Sequence, residues 1–332
     1  MTSAARSNEP PFADVGRLLW RHPFGRVVAA SGSPRMLTIL DPEFPASGGT
    51  KTGSVAAIGR ALARRGCSQI VAPAEARRTE SGRCLIDTPW FEGRPLAEVA
   101  LERSVPMAAR FGILRQVVLA LRAAHDVGVM HGTLSTASVV VASDLRRTTR
   151  VVDFGMSRIV GNYLDLPTAG APLSPERMLG MEIGPAEDVY LFGCLAFYTL
   201  AGTSPFASPT EDERRRRHAI EDPPDLVEAS LPRRVKSPMA EVVRRCLAKE
   251  PEDRYADATA LCTAWCRAQR EARIATAWDE PVRRPPTRPP GVPSTIHAAA
   301  GDDESIDIDI HIEDSVPIRV DDTDTIIVDV PY

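Results

Sequence analysis

Apolar residues recur at helical spacing through Ile113, Leu114, Val117, Val118 and Leu121, and Gly128 stands where a left-handed cap would end the helix they predict. A polar turn follows, His131-Gly-Thr-Leu-Ser-Thr-Ala-Ser138, then an apolar strand at Val139–Val141, a polar reversal, and a second strand at Val151 and Val152 that runs into Asp153-Phe-Gly155. Upstream, the pattern from Val15 onward (VGRLLWRHPFGRVVAA) predicts a hairpin and Met36–Leu40 a further strand, while Gly53 to Arg65 reads as a helix. Near the C-terminus a different rule takes over. Ile306, Ile308, Ile310 and Ile312 alternate with Asp307, Asp309 and His311, and the alternation returns at Ile326, Val328 and Val330, placing apolar side chains on one strand face and acids on the other.

Composition narrows what these elements can build. With 332 residues, 43% hydrophobic and 25% charged, the chain can bury one large core and still carry tails. The six cysteines (67, 84, 194, 246, 262 and 266) lack paired metal spacing, which fits a reducing compartment. Cys262 and Cys266, one helical turn apart, read as packing residues. The longest apolar run, Val189 to Ala201, is too short to span a bilayer, and no signal segment opens the chain, so a soluble cytoplasmic protein without a membrane role is expected. The run Arg214–Arg217 has no interleaved aromatic residues and reads as a solvated helix face, not a nucleic-acid patch. Lysine is rare: only Lys51, Lys236 and Lys249 are present.

The turn and the Asp-Phe-Gly triplet together resemble the catalytic-loop region of eukaryotic-type Ser/Thr protein kinases, including their bacterial members. The resemblance implies an α+β, two-lobed fold with a small β-rich lobe and a larger helical lobe. Against the family's His-Arg-Asp-Leu-Lys-Pro-Glu-Asn, His131 and Leu134 match. Gly132 stands for the Arg, Thr133 for the catalytic Asp, Ser135 for the Lys and Ser138 for the metal-binding Asn. Thr133 is a hydroxyl of very high pKa and cannot act as a general base near neutral pH. Of the pair that would hold Mg²⁺ against the phosphates, Asp153 remains.

The same resemblance assigns the other sites. The nucleotide-covering Gly-x-Gly-x-x-Gly loop reads Trp20, His22 and Gly25, equally consistent with an ordinary hairpin. Thr38 occupies the place of the phosphate-pairing Lys in Val-Ala-x-Lys, and Ile58 the place of its partner Glu. Cys84 to Leu96 looks like a strand, the interlobe hinge and the start of the next helix, with Thr88 guarding the adenine pocket and Pro89 removing a backbone donor. Met156 to Leu173 lies at the activation-loop position with Ser157, Tyr163 and Thr168. Ser174-Pro-Glu176 matches the tripeptide that closes that loop. Asp188 heads the central helix, whose aspartate holds the catalytic-loop backbone, and Arg254 in Cys246–Arg254 is the partner of Glu176.

These readings give a flexible N-terminus over 1–11, a kinase-like domain over 12–273, a Pro-rich linker over 274–300 and an acidic tail over 301–332. Residues 275–332 hold 13 Asp/Glu and 4 Arg, which leaves the domain net positive. The residues that support packing survive (His131, Phe154, Gly155, Glu176, Asp188, Arg254), while Thr38, Ile58, Thr133 and Ser138 replace the chemical ones. A pseudokinase is therefore expected, acting as a signalling or scaffold module with weak or absent binding of ATP and Mg²⁺. Its partner would be a protein, engaged through the kinase-like surface or by adding a tail strand to a sheet edge, the tail being disordered or loosely paired when isolated. The alternative is a divergent Ser/Thr kinase that still transfers the γ-phosphate to protein hydroxyls. A small-molecule phosphotransferase on the same fold would retain the base and metal ligands and is disfavoured.

Overall fold

The computed structural model describes residues 17–30, 34–41, 50–78, 84–142, 149–160, 173–226, 236–274, 318–320 and 326–328. Five strands and one helix form the N-terminal lobe: β1 (Leu18–His22), β2 (Gly25–Ala29), β3 (Arg35–Leu40), α1 (Thr50–Arg65), β4 (Glu75–Arg78) and β5 (Cys84–Pro89). The sheet is antiparallel throughout, in the order β1-β2-β3-β5-β4. Strand alternation divides its side chains. Leu37 and Ile39 pack with Val28 and Leu85, whereas Met36, Thr38 and Leu40 are buried from the opposite face. Helix α1 begins three residues earlier than the apolar pattern predicts, at Thr50.

The second lobe is mainly helical. A short strand β6 (Arg94–Pro95) and helix α2 (Leu96–Val99) lead to α3 (Met107–His125), then β7 (Val139–Val141), β8 (Arg150–Val151) and α4 (Met156–Val160). After these come α5 (Pro175–Met178), α6 (Pro185–Ala201), α7 (Glu211–Ile220), α8 (Lys236–Cys246), a 3-10 turn at Pro251–Asp253 and α9 (Ala258–Glu271). Helix α3 ends as its sequence predicts: Gly128 has φ 71°, its N–H bonds to the His125 carbonyl, and the Val129 N–H reaches back to Ala124. Helix α6 is buried on nearly every face, and Trp265 of α9 is held between Phe111 and Phe192, its ring centroid 6.2 and 5.2 Å from theirs. The arginine run lies on α7, where Glu211 and Glu213 pair with all four guanidinium groups.

In the tail, β9 (Ile318–Val320) and β10 (Ile326–Val328) pair antiparallel. The Ile306–Ile312 alternation, Tyr163, Thr168 and most of the acidic tail lie outside the described residues. Among the described residues no helix is long and apolar enough to cross a membrane.

Candidate functional site

The loop at 131–138 is positioned by one carboxylate. Asp188, at the start of α6, accepts the backbone N–H groups of His131 and Gly132, each at 2.7 Å, and faces His125 Nε2 at 2.9 Å. Because Ala258 N–H donates to His125 Nδ1, the ring proton sits on Nε2 and points at Asp188. Burial pushes the Asp188 carboxyl up, but the hydrogen bond from His125 and the contacts of the loop outweigh it, and the net pKa falls below the ordinary value. His131 donates from Nε2 to the Val152 carbonyl at 2.9 Å and lies against Phe154, ring centroids 4.8 Å apart; burial lowers its pKa, so the ring is neutral.

Behind this loop, Asp153 is sealed in. Its φ is 65°, and only 1% of the residue is exposed. Thr38 Oγ1 donates to Asp153 Oδ1 at 2.8 Å. His22 Nε2 stands 3.5 Å from Oδ2, too far for a well-formed hydrogen bond but close enough to block that side. Phe24 N–H donates to His22 Nδ1 at 3.3 Å, which leaves the imidazole proton on the nitrogen facing Asp153. Burial, with the proximity of His131, lowers His22 to about 3. Burial raises Asp153 to about 7, against the Thr38 hydrogen bond, because neither neighbour brings a full positive charge.

Next to Asp153 the two lobes meet in one apolar cluster. Trp20, Val27 and Met36 from the sheet pack with Val140 and Val152 from below, Val71 and Ala137 completing the group. Met36 pairs across the sheet with Thr88, whose hydroxyl, like Trp20 Nε1, is buried without a hydrogen-bond partner among the described residues. A second cluster joins Phe24, Leu40 and Val55 to Met156, Ile159 and Val160, so that α4 is wedged between α1 and the sheet.

The hydroxyls of Thr133, Ser135 and Ser138 face partners within the loop itself. Ser138 Oγ accepts the Ser135 N–H at 2.8 Å and donates to the Ser135 carbonyl at 3.0 Å; Thr133 Oγ1 is 3.4 Å from His131 Nδ1. Gly132 has φ 69°, and a Cβ there would lie 2.8 Å from Ser157 Cβ. Arg177 donates to the Gly132 carbonyl and is itself gripped by Glu187, which also accepts from Ser174 Oγ. Below, Arg254 makes a two-point contact with Glu176, Nη1 to Oε1 at 2.7 Å and Nη2 to Oε2 at 2.8 Å, with both side chains essentially inaccessible to solvent.

Residues 59–266 match the family model described as the protein kinase domain. The chain belongs to the protein kinase family. Its kinase domain is 29% identical over 199 residues to the Serine/threonine-protein kinase pkn3 of Myxococcus xanthus, a match covering 55% of this chain and 36% of that protein. It is 30% identical over 213 residues to the probable serine/threonine-protein kinase PknB of Corynebacterium glutamicum, covering 59% of this chain and 32% of that one. The chain thus spans about a third of the length of these curated relatives. The solved kinase domain of Mycobacterium tuberculosis PknI superposes with a TM-score of 0.58 at 22% identity, covering 81% of this chain and all of that one, a likeness of fold.

Within this kinase domain the residues expected from sequence fall as follows. Thr38 and Asp153 touch, and Ile58 lies beside Gly155, its Cδ1 3.4 Å from where a Cβ on that glycine would sit. Thr133 and Ser138 are buried in the loop, and Thr88, also buried, pairs across the sheet with Met36 of the Trp20 cluster. Gly25 has a local reason: a Cβ there would be 1.9 Å from the Ile39 carbonyl oxygen. Arg35, at the start of the strand that carries Thr38, pairs with Asp87. The sequence reading missed the contact of His22 with Asp153, the filling role of Met36, and the Arg177–Glu187 pair. Met36 carried a signal, since it stands where the family motif has a small alanine.

Proposed function

We propose that the chain is a pseudokinase, a protein-kinase domain that keeps its scaffold and works in the cytoplasm as a signalling or scaffold module for a protein partner. The observation that carries this reading is the 2.8 Å hydrogen bond from Thr38 to Asp153. A neutral hydroxyl stands where the family has a phosphate-pairing lysine, and it occupies the one carboxylate left to hold a metal. A bound Mg²⁺ would supply charge neutralisation at the phosphates. The residues present do not fit it: Asp153 is enclosed by Thr38 and His22, and Ser138 Oγ is spent inside its own loop. Nor do they fit a nucleotide base, because Trp20 and Met36 fill the space between the lobes with their own side chains. ATP and Mg²⁺ binding is therefore weak or absent in this reading. The six free cysteines suit a reducing compartment and support the cytoplasmic assignment. A protein partner is favoured over nucleic acid because the α7 arginines are already paired with glutamates on their own helix; the tail strands offer a second, strand-adding contact. The test is transfer of radiolabel from ATP to a generic protein substrate. The reading expects none above background, and transfer that disappears in Asp153→Ala would overturn it.

A further inference from the structure

A cavity of about 570 Å³ lies between α1 and the segment that joins the lobes, and Asp153 is not among its lining residues. Its walls come from the C-terminal half of α1 and the loop after it (Leu62, Ala63, Ile70, Val71), and from Trp90 and Phe91 just beyond β5. Arg150 of β8 contributes a cationic group to the wall, and Arg60 of α1 a second at an exposed position. The Arg150 guanidinium stacks on Phe91, 5.1 Å from the ring centroid, and its Nε is buried without a hydrogen-bond partner among the described residues. Volume, apolar walls and a guanidinium stacked in the wall, with Arg60 at an exposed position of the rim, are the features of a small-molecule site, and they specify the ligand's chemistry: an apolar body of aliphatic or aromatic character carrying a carboxylate.

We propose that this cavity binds a free amphipathic carboxylic acid, its carboxylate on Arg150 and its apolar body against Leu62, Ile70 and Trp90. The proposal is independent of whether the domain transfers phosphate, since Val71 is the one buried residue common to the cavity and the cluster beside Asp153, and it carries no polar side chain. Such a ligand would touch α1, the loop after it and the interlobe segment at once, so occupancy would hold the two lobes in their present relation.

The test uses the full chain with decanoate as the acid, decanol as its uncharged counterpart and 8-anilinonaphthalene-1-sulfonate as fluorescent reporter. Cys67, which lines the cavity and donates to Gln69 at 3.2 Å, gives a local readout through its alkylation by N-ethylmaleimide. Decanoate is expected to displace the reporter at least about tenfold better than decanol and to slow Cys67 alkylation. Arg150→Met keeps the stem over Phe91 and should weaken decanoate about tenfold while leaving decanol unchanged. Ala63→Trp, at an exposed helix position, should fill the cavity and abolish both signals. Equal displacement by decanol, or decanoate binding that survives Ala63→Trp, would overturn the proposal. So would an Ile308→Ser, Ile310→Ser variant of the full chain that binds decanoate about tenfold more tightly, because the tail would then be the natural occupant.

Discussion

Replacing Asp153 by Asn should stabilise this protein, and should do so more as the pH rises. The carboxyl is fully buried, with a pKa of about 7 against an ordinary 3.8. Below about pH 4 it is protonated in both the folded and the unfolded chain and imposes no penalty. Between pH 4 and 7 the folded chain holds a proton that the unfolded chain has released, so stability is lost steadily as pH rises, and above pH 7 the full penalty applies. A shift of this size corresponds to roughly 4 kcal/mol. The asparagine oxygen can still accept from Thr38, but its amide would face the protonated Nε2 of His22, a conflict worth about 1 kcal/mol at any pH where His22 is neutral. The expected result is a gain of about 3 kcal/mol at pH 8.5 that shrinks to about zero at pH 4.5. His22 and His218, both with pKa near 3 through burial, weaken the fold as pH falls from about 6.5 to 3, but they do so in both proteins and cancel in the difference. Urea denaturation followed by tryptophan fluorescence at the two pH values measures it. A difference between wild type and Asp153→Asn that does not change with pH, or a loss of stability at pH 8.5, would refute the reasoning.

Other expectations follow from the same contacts. Truncating Arg254 to Ala strands the buried Glu176 and should cost about 3–5 kcal/mol, read as a fall in denaturation midpoint; an unchanged midpoint would contradict the buried pair. Gly132→Ala places a side chain at φ 69° and against Ser157, so it should cost at least about 1–2 kcal/mol by the same assay, even though the family has a large residue there. Thr133→Asp alone should leave radiolabel transfer at background, because Thr38 and Ser138 still withhold the charge clamp and the second metal ligand.

The scaffold was legible in the sequence because it is built from local signals. The spacing of α3, its Gly128 cap, the loop at 131–138 and the Glu176 and Arg254 motifs each lie within a few residues, and each is found in place. The state of the cleft was not legible in the same way. Thr38 and Asp153 are 115 residues apart, and their bond depends on strand β3 being brought over the loop by the whole sheet. His22 stood out only as a missing glycine, not as a group that would reach a carboxylate. Helix α4 was hidden for a different reason: Met156–Val160 is too short for periodicity to separate from a loop, and its helical form comes from burial against α1 and Phe24.

Side chains of the kinase domain itself pack the space between its lobes, with Asp153 hydrogen-bonded to Thr38 and flanked by His22. Calorimetric titration with ATP in the presence and absence of Mg²⁺, joined to a thermal-shift measurement, tests this most directly. A ligand at 100 times its Kd adds about 2.7 kcal/mol when it binds only the folded chain. No Mg²⁺-dependent heat and no shift in Tm are expected at millimolar ATP. Submicromolar affinity that requires Mg²⁺ and vanishes in Asp153→Asn would contradict it.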